Sequence, residues 1–182
     1  MNGQEWGKKA QKIRVPAATV LGAGFLLLMH PSSRSLWIGG VVASVGALLR
    51  IWAAGHIAKG QSLARGGPYA FTRNPLYLGS LIMATGVMLA GQSYWLLLAL
   101  AIFYGVIYYP VIKAEEKELL ASYGMAFQNY ADKVPLFVPN FGSTVKVSST
   151  FSWSRVIRNG EHRTVAGLML VEVILIIFKI VR

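Results

Sequence analysis

The sequence contains no cysteine, which excludes disulfide bonds, thiolate catalysis and cysteine-based metal sites. Histidine is scarce as well. Its three copies, His30, His56 and His162, fall in separate segments, so we predict no metal site. The chain also has no GxSxG or HExxH motif and no glycine-rich nucleotide fingerprint after a strand. These absences argue against the common soluble hydrolases, metalloproteases and dinucleotide-binding enzymes.

Charge is the next property that the sequence has little of. Charged residues make up 14% of the chain and hydrophobic residues 54%, whereas soluble domains carry about 25% charged residues. The apolar residues form long blocks with almost no internal charge, so block length rather than periodicity predicts the structure. The sequence therefore predicts an all-α membrane protein with a single domain over residues 1–182.

Candidate membrane-spanning helices are the five apolar blocks 15–30, 36–54, 76–90, 94–112 and 165–181. A helix needs about 20 residues to cross a hydrocarbon core of about 30 Å, and about 17 suffice when the flanking side chains snorkel. The second, fourth and fifth blocks meet this requirement, whereas the first and third are short. We therefore expect about five spans, with four as the alternative.

The first block could instead be a secretory signal peptide. Four basic residues precede it: Lys8, Lys9, Lys12 and Arg14. However, no small-x-small cleavage site follows it, which favours an uncleaved helix.

Lysine and arginine predict the orientation, because cytoplasmic loops carry an excess of them. The basic residues collect before the first block, after the second and after the fourth, and the last two groups include Lys59, Arg65, Arg73, Lys113, Lys117, Lys133, Lys146, Arg155, Arg158 and Arg163. We expect a prokaryotic inner membrane protein with its N-terminus inside and its C-terminus outside. The net charge of +11 is explained by attraction to anionic lipid headgroups, so no nucleic-acid partner is expected.

A turn-rich polar segment, residues 66–79, precedes the third block. Pro75 suits the first turn of a helix and Asn74 suits its N-cap, which predicts a helix start at this point. Tyr69 and Tyr77 have the alternative interpretation of aromatic residues at the membrane interface.

A second polar segment, residues 113–130, follows the fourth block. Glu115 and Glu118 share a helical face and have no basic residue three or four positions away, whereas Glu116 has Lys113. Unpaired carboxylates just beyond a span indicate a cationic partner from elsewhere. The strip 134–139 is held between two prolines, so it is expected to be extended and to cover a pocket or lie on the surface.

These two segments resemble the membrane-embedded methyltransferases that include isoprenylcysteine carboxyl methyltransferases and phosphatidylethanolamine N-methyltransferases. The family pattern is a GxY…R-(H/N)-P-x-Y-x-G loop, an apolar hairpin and an E-E-x-x-L…(F/Y)-G-x-x-(F/Y)-x-x-Y…VP…P segment. Here it reads Gly67-Pro68-Tyr69, Arg73-Asn74-Pro75-Leu76-Tyr77-Leu78-Gly79, Glu115-Glu116, Leu119, Tyr123-Gly124, Phe127, Tyr130, Val134-Pro135 and Pro139. The match covers residues 51–141, and leaves 142–182 as an interfacial segment and a last helix.

The resemblance implies a cytoplasmic-face pocket for S-adenosylmethionine. Glu115 and Glu116 would anchor the cofactor's ammonium group or ribose hydroxyls, and Arg73 would pair with its carboxylate or hold the glutamates. The expected cofactor-binding set is Tyr69, Arg73, Asn74, Pro75, Tyr77, Gly79, Glu115, Glu116, Tyr130 and Pro135. Arg73 and Glu116 are the candidate catalytic residues, no residue is assigned as a base, and Arg50 and His56 are candidate substrate contacts.

The resemblance also implies a membrane lipid or a lipidated small molecule as the acceptor. Asn74 stands where the prenylcysteine enzymes typically carry His, and residues 108–112 lack the arginines that would hold a substrate carboxylate, which disfavours a prenylcysteine substrate. Two alternatives are a membrane reductase that uses NADPH, resembling sterol reductases, and a non-enzymatic lipid-binding protein. The oligomeric state is not predicted.

Overall fold

The computed structural model describes residues 3–58, 60, 62–142 and 150–181. Lys59 and Lys146, two of the basic residues used to predict the orientation, lie outside these described residues. The described part of the chain is helical and contains no strand, which confirms the predicted all-α class. The helices are α1 (Gly3–Leu28), α2 (Ser33–His56), α3 (Pro75–Ala90), α4 (Tyr94–Phe103), α5 (Tyr109–Tyr123), α6 (Met125–Ala131), α7 (Trp153–Arg158) and α8 (Glu161–Val181).

Three long helices among the described residues are apolar enough to cross a membrane: Ser33–His56, Tyr94–Tyr123 and Glu161–Val181. The second of these combines α4, a π-helical turn at Tyr104–Tyr108 and α5. The apolar helix Pro75–Ala90 is shorter, with 16 residues. Helices long and apolar enough to span a membrane are therefore present as predicted, and the count of about five stays a prediction.

Helix α1 extends the predicted first block toward the N-terminus and includes the basic stretch. Its beginning packs beside the π-helical turn Tyr104–Tyr108 and α5, and the indole nitrogen of Trp6 donates to the carbonyl oxygen of Val106 in that turn at 3.2 Å. The fully buried Ala10 packs against Ile107 and Val111. These contacts bring the first turns of α1 to the same end of the bundle as the polar segment of α5.

Helices α2 and α3 approach each other through glycine. A Cβ built at Gly86 would collide with the backbone of Ala43, and one built at Gly79 would lie 2.8 Å from the carbonyl oxygen of Gly46. Such small residues let two backbones pack directly, as is common in membrane helices. The contact fixes the beginning of α3 beside the end of α2, where the two polar segments meet.

An ion pair on the same side joins α2 to α8. Arg50 makes a two-pronged contact with Glu161, with Nε at 2.9 Å from Oε2 and Nη2 at 2.7 Å from Oε1. The Arg50 guanidinium also donates to the hydroxyl of Ser80 on α3. Arg50 thus connects three helices immediately behind the loop that precedes α3.

Helix α7 closes the end of α2. The side-chain amide of Asn159 donates to the carbonyl oxygens of Ala54 at 2.9 Å and Ile57 at 3.2 Å. The backbone N–H of Ser152 donates to the carbonyl oxygen of Gly55 at 3.1 Å. These bonds satisfy carbonyl groups that have no partner within a helix end. Residues 152–159 are therefore attached to the end of α2.

Candidate active site

The loop before α3 is held against the proline-bounded strip by hydrogen bonds. The backbone N–H of Arg73 donates to the carbonyl oxygen of Pro135 at 2.9 Å. The hydroxyl of Thr72 donates to the carbonyl of Phe137 at 2.9 Å, and the N–H of Asn140 donates to the carbonyl of Phe71, also at 2.9 Å. The strip therefore covers the loop rather than lying free on the surface.

Helix α3 starts where the sequence predicts, but the Asn74 side chain makes a different contact from the one expected of an N-cap residue. Pro75 lies in the first turn and Asn74 occupies the N-cap position, as the sequence predicts. However, the Asn74 side chain does not cap the helix. Its amide donates to the carbonyl of Leu136 at 3.0 Å, because the strip offers an acceptor on that side. Asn74 therefore fixes the strip as well as marking the helix start.

The two adjacent glutamates of α5 contact residues of the loop and of α3. Tyr77 donates its hydroxyl hydrogen to Oε1 of Glu115 at 2.6 Å. Oε1 of Glu116 lies 2.6 Å from Nη1 of Arg73, and its Oε2 lies 2.8 Å from Nζ of Lys113. The Arg73 and Glu116 side chains are only 16% and 12% exposed, so this ion pair is well shielded from water.

A cavity of about 230 Å³ opens between these elements, and we call it the central cavity. Eight of the ten residues predicted to bind a cofactor line it: Tyr69, Arg73, Asn74, Pro75, Tyr77, Glu115, Glu116 and Tyr130. The structure thus brings most of the predicted set into one place.

The four remaining predicted residues lie elsewhere. Gly79 packs against α2, and Pro135 contributes its carbonyl to the loop–strip contact. The ring of His56 donates through Nδ1 to the carbonyl of Trp52 at 2.9 Å and lies against Gly67. Arg50 is engaged with Glu161. None of the four lines the central cavity.

Two buried hydrogen-bond donors in the cavity wall have no hydrogen-bond partner among the described residues. They are the hydroxyl of Tyr69 and Nε of Arg73. Tyr69 is 5% exposed, and burial raises the pKa of its hydroxyl well above the usual value, so the group stays a neutral donor. Burial also raises the pKa of Tyr130, whose hydroxyl donates to the backbone carbonyl of Tyr69 at 2.7 Å. Buried donors without partners are costly, which is typical of a site that a ligand completes.

Several cavity residues are missing from the sequence-based set. Leu119 and Tyr123 follow Glu115 at intervals of four, which places all three on one face of α5 and could have identified them. Phe127 is a position of the family pattern and could have been included for that reason. The remaining omissions carry no such signal: Ile57, Gly60, Ser62, Leu63, Ala64 and Leu76.

Comparison with known proteins gives one family. Residues 35–126 match the phospholipid methyltransferase family profile, a range that includes the loop before α3 and both glutamates. No solved structure matches the chain significantly.

Two curated proteins are similar. The nickel-cobalt-cadmium resistance protein NccN of Alcaligenes xylosoxydans xylosoxydans is 31% identical over 147 residues, which cover 76% of this chain and 67% of that protein. The cobalt-zinc-cadmium resistance protein CzcN of Cupriavidus metallidurans is 30% identical over 135 residues, which cover 69% of this chain and 61% of that protein. The chain thus spans about two thirds of the length of these relatives. Within the described part of this chain, no group of three His, Asp or Glu side chains could hold a metal ion.

Proposed function

This chain belongs to the phospholipid methyltransferase family, and we propose on that premise that it transfers a methyl group from S-adenosylmethionine to a lipid or lipid-like acceptor. The observation that carries the proposal is the central cavity, in which two carboxylates face a guanidinium and a neutral phenol. Those groups complement the charges of the cofactor.

The polar groups of the cavity fit the amino-acid portion of S-adenosylmethionine, which carries an ammonium and a carboxylate group. Glu115 and Glu116 provide anionic oxygens for the ammonium group or for ribose hydroxyls. The unpartnered hydroxyl of Tyr69 and Nε of Arg73 provide two donors for the carboxylate. A ligand with both charges would satisfy groups that are otherwise buried without partners.

The apolar part of the cavity suits an adenine ring. Leu119, Tyr123 and Phe127 line one side, and an aromatic base stacks favourably on such side chains. The strip around Pro135 would then hold the loop over the bound cofactor through its hydrogen bond to Arg73.

When bound, S-adenosylmethionine supplies a methyl group on a sulfonium centre, and the carbon–sulfur bond breaks as the acceptor's electron pair forms the new bond. The protein contributes alignment and exclusion of water. Arg73 holds the Glu116 carboxylate in the cavity wall, and Tyr77 holds Glu115. A carboxylate acceptor needs no base, whereas an ammonium acceptor must first lose a proton.

The chain is an integral membrane protein by its family and its apolar helices. We propose that the central cavity faces the cytoplasm of a prokaryotic cell, with the N-terminus inside and the C-terminus outside. Lys113 and Lys117 lie on the second polar segment and Lys133 follows it, at the cavity's end of the bundle, which supports this orientation. We further propose that residues 1–182 act as one domain.

Mass spectrometry tests the proposed reaction. Purified protein in nanodiscs of bacterial lipid extract is incubated with S-adenosylmethionine carrying a deuterated methyl group, and the lipids are then examined for the label. Labelled lipid is expected with the wild type and not with the Arg73→Gln, Glu116→Gln double variant. Binding of NADPH without binding of S-adenosylmethionine would overturn the proposal in favour of a reductase.

A further inference from the structure

A second cavity, of about 540 Å³, lies beside the first, and we call it the lateral cavity. Arg73, Glu116 and Phe127 line both cavities, so the Arg73–Glu116 ion pair forms part of the wall between them. The lateral cavity is also bounded by Trp6 of α1 and by Lys117 of α5. A molecule in it would therefore lie next to side chains that also contact a ligand in the central cavity.

The lateral cavity carries an excess of positive charge. Three cations, Arg73, Lys113 and Lys117, and one carboxylate, Glu116, are the charged residues that line it. The two oxygens of Glu116 already contact Arg73 and Lys113. Lys117 has no ion-pair partner among the described residues, and it follows Lys113 by four positions on the same helical face, where like charges repel.

The other walls of the lateral cavity are largely apolar. Trp6, Tyr109, Pro110 and Leu120 contribute them, and Tyr109 is half exposed. Tryptophan and tyrosine favour the headgroup level of a membrane, and lysine can place its ammonium group in water while its methylenes cover apolar surface. Apolar walls with a cationic rim suit an amphipathic anion better than a free inorganic one.

We propose that the lateral cavity binds the anionic group, phosphate or carboxylate, of a lipid acceptor, held chiefly by Lys117 and Lys113. The inference rests on the proposed function for identifying this lipid as the methyl acceptor. The lipid's nucleophile would then lie next to Arg73 and Glu116. These side chains would have to move aside for transfer, because the nucleophile and the methyl carbon must come into direct contact.

The test is calorimetric titration of the full chain in a nonionic detergent with dioctanoyl phosphatidylglycerol. Dioctanoyl glycerol, which lacks the phosphate, and inorganic phosphate are the comparison probes. The variants are Lys117→Gln and the Lys113→Gln, Lys117→Gln double variant. The matched control is Lys133→Gln, an exposed lysine that lines neither cavity. S-adenosylmethionine is titrated into every variant as a check of the fold and of the proposed function.

We expect phosphatidylglycerol affinity to fall about five-fold for each lysine removed, since a lysine near an anionic lipid contributes about 1 kcal/mol. The Lys133→Gln variant should match the wild type, and S-adenosylmethionine affinity should be unchanged in Lys117→Gln and in Lys133→Gln, because neither lysine forms an ion pair with Glu116 among the described residues. Unchanged phosphatidylglycerol affinity in the double variant would overturn this inference but not the proposed function. Binding of dioctanoyl glycerol with the same affinity as phosphatidylglycerol would do the same. Equal affinity for inorganic phosphate would overturn the assignment to a lipid. Failure of the wild type to bind S-adenosylmethionine would instead overturn the proposed function.

Discussion

The guanidinium of Arg73 lies 2.6 Å from the carboxylate of Glu116, and these two side chains stand in the wall between the central and lateral cavities. Arg73 comes from the loop before α3 and Glu116 from α5, so the pair also joins the two polar segments. We therefore expect replacements of the two residues to change the stability of the protein in a non-additive way.

Single replacements of Arg73 or Glu116 by Gln should each destabilise the protein, and the double replacement should cost less than the sum. Removing one member of a buried pair leaves an uncompensated charge, which costs about 3–5 kcal/mol in fully buried cases and less here because both side chains retain some exposure. Thermal unfolding of the four proteins in a double-mutant cycle measures the coupling. Additive effects would contradict the direct contact.

Tyr69→Phe should separate stability from binding. The Tyr69 hydroxyl is buried without a hydrogen-bond partner, so its removal should leave thermal stability equal or higher, while S-adenosylmethionine affinity falls about five- to ten-fold. Tyr130→Phe is the matched control, because its hydroxyl bonds the Tyr69 carbonyl. That variant should lose about 1 kcal/mol of stability. A Tyr69→Phe protein that loses stability and keeps its affinity would show that the hydroxyl has a structural role.

Arg50→Gln should weaken the attachment of α8. The change leaves the Glu161 carboxylate, which is 5% exposed, without its two-pronged partner. We expect a loss of about 3 kcal/mol, with partial recovery when Glu161→Gln is added. Limited proteolysis near residue 160 measures the effect locally. Wild-type resistance in Arg50→Gln would rule out the ion pair as the attachment.

Gly86→Ala should destabilise the α2–α3 contact because the added Cβ meets the backbone of Ala43. Overpacking of this kind costs about 1–3 kcal/mol. Gly22→Ala in α1 is the control, since a Cβ there has no neighbour within 4 Å. The comparison is made by thermal unfolding in detergent, and equal melting temperatures would contradict the close approach of α2 and α3.

Much of the candidate site could be predicted from the sequence, because its residues lie in two short segments and the resemblance of those segments to the methyltransferase family supplied the expected cofactor-binding set. Asn74 and Pro75 mark a helix start by their backbone preferences alone. The adjacent Glu115 and Glu116 stand out because acidic residues are rare in this chain. Both signals come from residues that are adjacent in the sequence, so they can be recognised without a structure.

The remaining features depend on how helices are rotated against one another. The partner of Arg50 is Glu161 on a different helix, and no local pattern links the two residues. The extension of α1 through the basic stretch is stabilised by packing of Ala10 on α5, a contact between distant parts of the chain. The lateral cavity was not predicted for the same reason: Trp6 and Lys117 line a common cavity only in the folded bundle.

Calorimetric titration of S-adenosylmethionine into the purified full chain tests the central claim most directly. The Glu115→Gln, Glu116→Gln double variant removes both cavity carboxylates, and Glu118→Gln, an exposed glutamate outside both cavities, is the matched control. We expect the wild type and Glu118→Gln to bind S-adenosylmethionine, and the affinity of the double variant for S-adenosylmethionine to be reduced at least ten-fold. Equal binding by all three proteins, or no binding by the wild type, would contradict the central claim.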